Sequence, residues 1–298
     1  ERNFRAIIGC QQRPFSPTCP IRRNKEEADS MMIQKADYHP DLIDWEWLTP
    51  EVVKNLAEEL VAFHEEFRDV FGRVEHHILG ENYLQGLLSN IPRKNVEAIT
   101  LEYLESSRVR SMQKYISIYS WDDSLMLAIA KNKLSDLIVE ENGMLTVDES
   151  GIPKKGKESV GVAQQYCGNT GKLDNCQVGV FVGYTSEIGY GLIDRGLYMH
   201  KSWFEEDYRE RREKCKVPEE LEFKTKNQIA LELLQQNLDS GQFQAGWVGF
   251  DAGFGSDHNF RDAIDLLDVN YLGGIKSNTL VWLNRPEVRI PTYSGKGR

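Results

Sequence analysis

The spacing of apolar residues changes at Gly143, and this change limits the folds that the chain can adopt. Before Gly143, apolar residues recur at the three- and four-residue spacing of amphipathic helices. After it, short runs rich in β-branched and aromatic residues alternate with helical stretches. The first part of the chain therefore predicts an all-helical module, and the second part predicts a sheet accompanied by helices.

The order of elements after Gly143 narrows the fold class. Three strands come first, and a helix, a strand, a helix and a strand follow, at residues 144–147, 177–184, 191–198, 225–238, 246–250, 259–267 and 271–276. Sequential strands usually pair as neighbours, whereas strands joined through a helix usually run parallel. We therefore predict an α/β fold with a mixed sheet and flanking helices.

The helical module is predicted to begin near Thr49 and Pro50, which are typical of an N-cap and a first helical position. Further helices are predicted at residues 75–88, 95–104, 109–115 and 124–139. Three domains follow: an arm or leader at residues 1–46, the helical module at 47–140 and the α/β domain at 141–298. His64, His76 and His77 have no carboxylates at ligand spacing, so surface or capping roles are predicted for them.

The composition argues against a disordered, fibrous or membrane-spanning protein. The chain is 40% hydrophobic and 28% charged, which is typical of a globular protein. Its apolar runs are far shorter than the roughly 20 residues that span a bilayer, so no membrane segment is predicted. The cysteines are odd in number and no signal peptide precedes them, which indicates a reducing, intracellular setting with free thiols.

Two aspartates are the main candidates for chemistry. Asp148 and Asp251 each follow an apolar strand. Side chains at the carboxyl ends of neighbouring strands converge beyond the sheet, so the two carboxylates could bind Mg²⁺ or Mn²⁺ together. Two ions held about 3.5–4 Å apart would activate the attacking oxygen and stabilise the leaving oxygen of a phosphodiester. Taken singly, each aspartate is more often a turn residue.

A lysine-rich segment follows Asp148. Lys154, Lys155 and Lys157 are separated by glycine, and no Gly-Lys-Ser/Thr order follows a strand, which argues against a nucleotide-binding loop. The segment could contact phosphates beside the aspartates, and a solvated hairpin tip explains the same composition nearly as well.

Several blocks closely resemble the signature sequences of bacterial insertion-sequence transposases of the DDE endonuclease superfamily. They lie at residues 147–157, 159–168, 175–180, 194–198, 223–226, around Asp251, at 291–298 and, in the helical module, at 48–51, 93–97 and 121–123. The resemblance covers about residues 47–298. It implies an RNase H-like catalytic domain, preceded by a helical module that serves DNA-end binding or dimer contacts.

The resemblance also implies roles for individual residues. The first and second catalytic aspartates of the family fall on Asp148 and Asp251, which would bind two Mg²⁺ or Mn²⁺ ions. The third acid, a Glu on a helix, is expected beyond Arg298, and Ala252 stands where the family often has an acid. If the first strand continues past Asp148, Glu149 is predicted to face away from Asp148. The candidates for phosphate contacts are Lys154, Lys155, Lys157, Lys224 and Lys226.

The resemblance implies an enzyme that cleaves the terminal inverted repeats of a mobile element and joins them to target DNA, acting as a homodimer in the bacterial cytoplasm. Two alternatives remain: an RNase H-like nuclease without strand transfer, and a truncated or domesticated relative that binds DNA without chemistry. The formal charge of −10 counts against the transposase interpretation, because affinity for DNA comes largely from Lys and Arg. The lack of a matching third acid and the acidic balance favour the truncated or domesticated relative.

Overall fold

The computed structural model describes residues 49–280, with side chains omitted at residues 50 and 52–54. The predicted arm at residues 1–46 and the block at 291–298 lie outside this range. The chain divides into two compact units between Ile129 and Ala130. This division falls within a helix, about ten residues before the predicted domain boundary. None of the helices in the described range has the length and apolar character needed to cross a bilayer.

The first unit is helical. It contains α1 (Pro50–Glu65), α2 (Val74–Leu88), α3 (Val96–Tyr103), α4 (Val109–Ser117) and the first part of α5 (Asp123–Ile138). Short 3-10 turns at Arg68–Val70 and Ser106–Arg108 precede α2 and α4. The predicted helices are confirmed, and their ends differ by no more than two residues. Asn95 caps α3 by accepting a hydrogen bond from the Ala98 N–H at 2.8 Å.

The prediction for the histidines of this unit was wrong for two of them. His64 and His77 are buried, and their ring centroids lie 4.4 Å apart. His64 Nε2 lies 2.9 Å from the carbonyl oxygen of His77. Burial is the main cause that lowers the pKa of His64. Both rings also lie close to the aromatic side chain of Phe71, with centroids 5.6 Å and 5.7 Å from it.

The second unit is built on a six-stranded mixed sheet. Its strands are β1 (Met144–Pro153), β2 (Ala163–Cys167), β3 (Lys172–Thr185), β4 (Tyr190–Tyr198), β5 (Trp247–Phe250) and β6 (Asn270–Gly273). β1 pairs antiparallel with β3, and β3 pairs antiparallel with β2 and β4. On its other edge β1 pairs parallel with β5, which pairs parallel with β6. This order confirms the predicted RNase H-like sheet.

Two details of the strand prediction were wrong. β2 was not predicted; it forms a hairpin with the start of β3 through a turn at Gly171, whose φ is 66°. β1 was predicted to end at Asp148 but continues to Pro153, because β3 supplies antiparallel partners along its whole length. Asp148 therefore lies within a strand, although its parallel neighbour β5 stops at Phe250.

The second unit contains four further α-helices in the described part of the chain, besides the end of α5. The main helix is α7 (Lys226–Ser240), and α6 (Arg209–Lys214), α8 (Ala252–Gly255) and α9 (His258–Asp265) are shorter. Thr225 and Gln228 form a capping box at the start of α7, and Gly241 ends it in the left-handed conformation. The buried core between α7, α9 and the sheet includes Leu145, Val147, Val182, Leu234, Val248, Phe250 and Ile264.

The side chain of Tyr184 connects β3 to the loops that precede β1 and β5. Its side chain is fully buried on β3. Its hydroxyl accepts a hydrogen bond from the Glu140 N–H at 3.1 Å and lies 3.0 Å from the carbonyl oxygens of Glu140 and Gln244. These two residues belong to the loops that lead into β1 and β5, so the hydroxyl helps to align the two parallel strands.

We expect Tyr184→Phe to lower the free energy of unfolding by about 1–3 kcal/mol, because it leaves partly buried backbone groups without their partner. Urea unfolding monitored by circular dichroism measures the change. Tyr190→Phe is the matched control, since Tyr190 is 77% exposed. Equal unfolding midpoints for the two variants would contradict the role assigned to the buried hydroxyl.

Candidate metal site on two parallel strands

The register of β1 and β5 brings the two predicted aspartates together. Val147 and Phe250 are partners in the parallel pair, and Asp148 and Asp251 are the next residues on the two strands. Neighbouring strands lie about 4.8 Å apart. The two carboxylates are therefore adjacent. The parallel pairing of β1 with β5 brings them together, although they lie about a hundred residues apart in the sequence.

Asp251 also caps a helix. Its Oδ1 accepts hydrogen bonds from the N–H groups of Gly253 at 2.8 Å and Phe254 at 3.3 Å, at the start of α8. This interaction orients the carboxylate. Oδ2 has no hydrogen-bond partner among residues 49–280, so one oxygen of Asp251 is held by the backbone and the other is available to a ligand.

Asp148 is held in a similar way. Its Oδ1 accepts a hydrogen bond from the N–H of Glu149 at 2.7 Å. The pKa of Asp148 is raised, chiefly by partial burial, and the negative charges of Asp251 and Glu149 raise it further, while the hydrogen bond from Glu149 acts in the opposite direction. In the described part of the chain, no cation is paired with Asp148 to offset this repulsion.

The donor set fits a hard divalent cation. Two carboxylates, each with one oxygen turned away from the backbone, offer the ligands that Mg²⁺ and Mn²⁺ prefer. A bound cation would also relieve the repulsion that raises the pKa of Asp148. Within residues 49–280, no three His, Cys, Asp or Glu side chains lie close enough to hold one ion. The described residues therefore supply two carboxylates to such a site.

A cavity of about 300 Å³ borders Asp251. Its other polar walls are Glu149, Lys226 and Asn227. Lys226 Nζ lies 2.8 Å and 2.7 Å from the two carboxylate oxygens of Glu149 and 5.4 Å from the ring centre of Tyr198. Glu149 thus faces α7, on the opposite side of β1 from Asp148, as alternation along a strand requires.

The predicted phosphate-binding lysines fall into two groups. Lys224 and Lys226 form ion pairs with Glu232 and Glu149, at 2.7 Å in each case. Lys154, Lys155 and Lys157 lie in the segment after β1 and have no ion-pair partner among the described residues. The second group is therefore better placed to contact an external anion. Sequence reasoning missed the pairing of Lys226 with Glu149 and the position of Asn227, because both depend on how α7 packs.

Comparison with known proteins identifies the family. Residues 66–298 match the family model described as DDE superfamily endonuclease. The chain belongs to this family. The matched region contains both aspartates and all five candidate lysines, and membership confirms the resemblance drawn from the sequence blocks. Membership also implies dependence on a divalent metal ion and DNA as the class of partner.

One curated protein and one solved structure show similarity to this chain. The protein named "Probable transposase for insertion sequence element IS701", from Microchaete diplosiphon, is 27% identical over 202 residues, which cover 66% of this chain and 48% of the relative. The chain thus spans about half the length of this curated relative. A chain in the crystal structure of a pre-cleavage Mos1 transpososome aligns over 63% of this chain and 57% of its own length, at 10% identity. Its TM-score of 0.15 carries no argument about fold or function.

We expect Asp148→Asn to raise the melting temperature of the metal-free protein at neutral pH. Because the folded state raises the pKa of Asp148, its charged form opposes folding at every pH above that pKa. The advantage of the neutral variant should disappear as the pH falls through the raised pKa and the wild-type carboxyl becomes protonated.

Thermal unfolding in a metal chelator across a pH series measures this effect. Asp136→Asn is the control, because it removes the same charge from an exposed position on α5. A melting temperature for Asp148→Asn at or below that of the wild type at neutral pH would show that the charge of Asp148 is not destabilising.

Proposed function

We propose that this chain is a DNA transposase that cleaves the ends of a mobile element in a metal-dependent reaction and transfers them to target DNA. The observation that carries the proposal is the adjacency of Asp148 and Asp251 one residue beyond a parallel strand pair. Membership of a DDE endonuclease family supports it. Two carboxylates at this position are suited to phosphodiester chemistry that needs no covalent enzyme intermediate.

Asp251 and Asp148 would contribute to metal binding in different ways. Asp251 offers Oδ2 from a carboxylate fixed by two backbone N–H groups, so its orientation does not depend on the ligand. Asp148 offers Oδ2 from a carboxylate whose negative charge is unfavourable until a cation binds. When bound, two Mg²⁺ or Mn²⁺ ions supply activation of the attacking oxygen and stabilisation of the leaving oxygen. A third acid, a Glu on a helix beyond Arg298, would complete the ligands.

Binding of DNA is proposed to use the segment with Lys154, Lys155 and Lys157. These side chains follow β1 directly, and carboxylates do not neutralise them within the described range. Lys224 and Lys226 are proposed as secondary contacts, because each would have to leave a carboxylate first. The proposed partners are terminal inverted repeats, target DNA and a second copy of the chain, in the bacterial cytoplasm.

One observation favours a second candidate function. Among the described residues, two candidate metal-binding acids come together rather than three. A relative that binds DNA without cleaving it would have this feature. Catalysis and binding must therefore be measured separately.

We expect Asp148→Asn and Asp251→Asn to abolish metal-dependent cleavage of the element's own ends while DNA binding is retained. Asparagine is preferred to alanine at position 251, because loss of the cap by Asp251→Ala would cost about 0.5–2 kcal/mol of stability and confuse the result. Cleavage of labelled DNA in Mg²⁺ and in Mn²⁺ provides the measurement.

Pre-cleaved ends with a free 3′-hydroxyl test strand transfer in the same experiment. Asp136→Asn serves as the charge control and should cleave like the wild type. Cleavage by both site variants at the wild-type rate would refute the assignment of the two aspartates. Wild-type cleavage without joining would favour a nuclease, and binding without either reaction would favour the DNA-binding alternative.

The lysine segment generates a separate prediction. Replacement of Lys154, Lys155 and Lys157 by Gln should weaken DNA binding equally for all sequences. It should also reduce the slope of log affinity against log salt by about 0.9 for each phosphate that the variant no longer neutralises. Fluorescence anisotropy over a salt series gives the slope. Lys201→Gln removes an exposed lysine outside the segment and is the control. An unchanged slope in the triple variant would exclude the segment from the DNA interface.

A further inference from the structure

A cavity of about 420 Å³ opens on the helical unit, and neither the two aspartates nor the candidate lysines line it. Its walls come from the start of α2 and from the turn that leads into α4. The polar residues that line it are Arg73, Glu75, His76, Arg108, Ser111 and Tyr119. Two arginines against one glutamate give this cavity a net positive charge, in a chain whose formal charge is −10.

The two arginines are unpaired within the described part of the chain. Neither Arg73 nor Arg108 has an ion pair or a side-chain hydrogen bond with residues 49–280. By contrast, Arg68 pairs with Glu65 at 3.0 Å, and Arg209 pairs with Glu206 at the same distance. Because carboxylates are abundant in this chain, arginines without one are available to bind an external anion.

The start of α2 adds to the attraction for an anion. Arg73 is the N-cap of this 15-residue helix, and its side chain makes no capping hydrogen bond. The first N–H groups of a helix without a side-chain cap carry partial positive charge and point out of its N-terminus. Phosphate groups bind well at such positions.

His76 and Tyr119 form an aromatic part of the cavity lining. Their rings stack, with centroids 4.2 Å apart and an interplanar angle of 16°. This stacking holds both rings in place, so this part of the lining is rigid. His76 Nδ1 itself is inaccessible to solvent and has no hydrogen-bond partner among the described residues.

We infer that this cavity is a binding site for a phosphodiester group of the DNA backbone, held by Arg73 and Arg108 at the N-terminus of α2. The identity of the polymer rests on the proposed function; the preference for a phosphate rests on the cavity itself. Contacts of this kind fix the position of a protein on DNA and carry no sequence information. The helical unit would then position DNA independently of the two aspartates.

The test is DNA binding by the full chain, measured by fluorescence anisotropy over a salt series in metal chelator. Arg73→Gln and Arg108→Gln should each weaken binding equally for unrelated duplex sequences and lower the salt slope by about 0.9, and the double variant by about twice that. Arg110→Gln is the matched control, because it removes the same charge from an exposed position on α4 that does not line the cavity.

The outcomes separate this inference from the proposed function. If the double variant retains the affinity and slope of Arg110→Gln, the inference is wrong, and cleavage by the wild type still decides the proposed function. If the double variant loses only binding of inorganic phosphate, measured by phosphorus NMR, the site serves a free anion and the assignment to DNA fails. If the wild type binds no duplex at low salt, both proposals fail. Circular dichroism of each variant excludes unfolding as the cause.

Discussion

The parallel pairing of β1 with β5 is the interaction on which the candidate site depends. Four paired positions set the register of β1 and β5. The buried side chains that stabilise this register are Leu145, Val147, Val248 and Phe250, all of which belong to the core beside α7 and α9. A slip of one residue would reverse the faces of a whole strand and place apolar side chains in water. The burial that stabilises the sheet thus also fixes the two carboxylates beside each other.

Much of the fold could be predicted from the sequence because local signals agreed with tertiary packing. The amphipathic pattern of residues 225–238 indicated α7, and the apolar runs indicated β3, β4 and β5. β1 was cut short in the prediction because the residues after Asp148 are typical of a turn. Pairing with β3 overrides this local preference. β2 was missed because its sequence, with two glutamines, becomes a strand only when it pairs with the start of β3.

The candidate site was predictable to a similar extent. The two aspartates could be found because strand ends converge in a sheet, a rule that follows from sheet geometry alone. The pairing of Glu149 with Lys226 could not, since it joins residues far apart in sequence through the packing of α7. The cavity of the helical unit was beyond prediction for the same reason: Arg73 and Arg108 precede different helices, and nothing in their sequence spacing indicates that they share a wall.

The capping role of Asp251 has a consequence for how a gene of this kind decays. One base change converts an aspartate codon to an asparagine codon, and asparagine can accept the same N–H groups of Gly253 and Phe254. Such an allele would encode a chain that keeps this cap, with one fewer carboxylate at the candidate metal site. The amount of folded protein would then not distinguish it from the original allele, whereas the codon would.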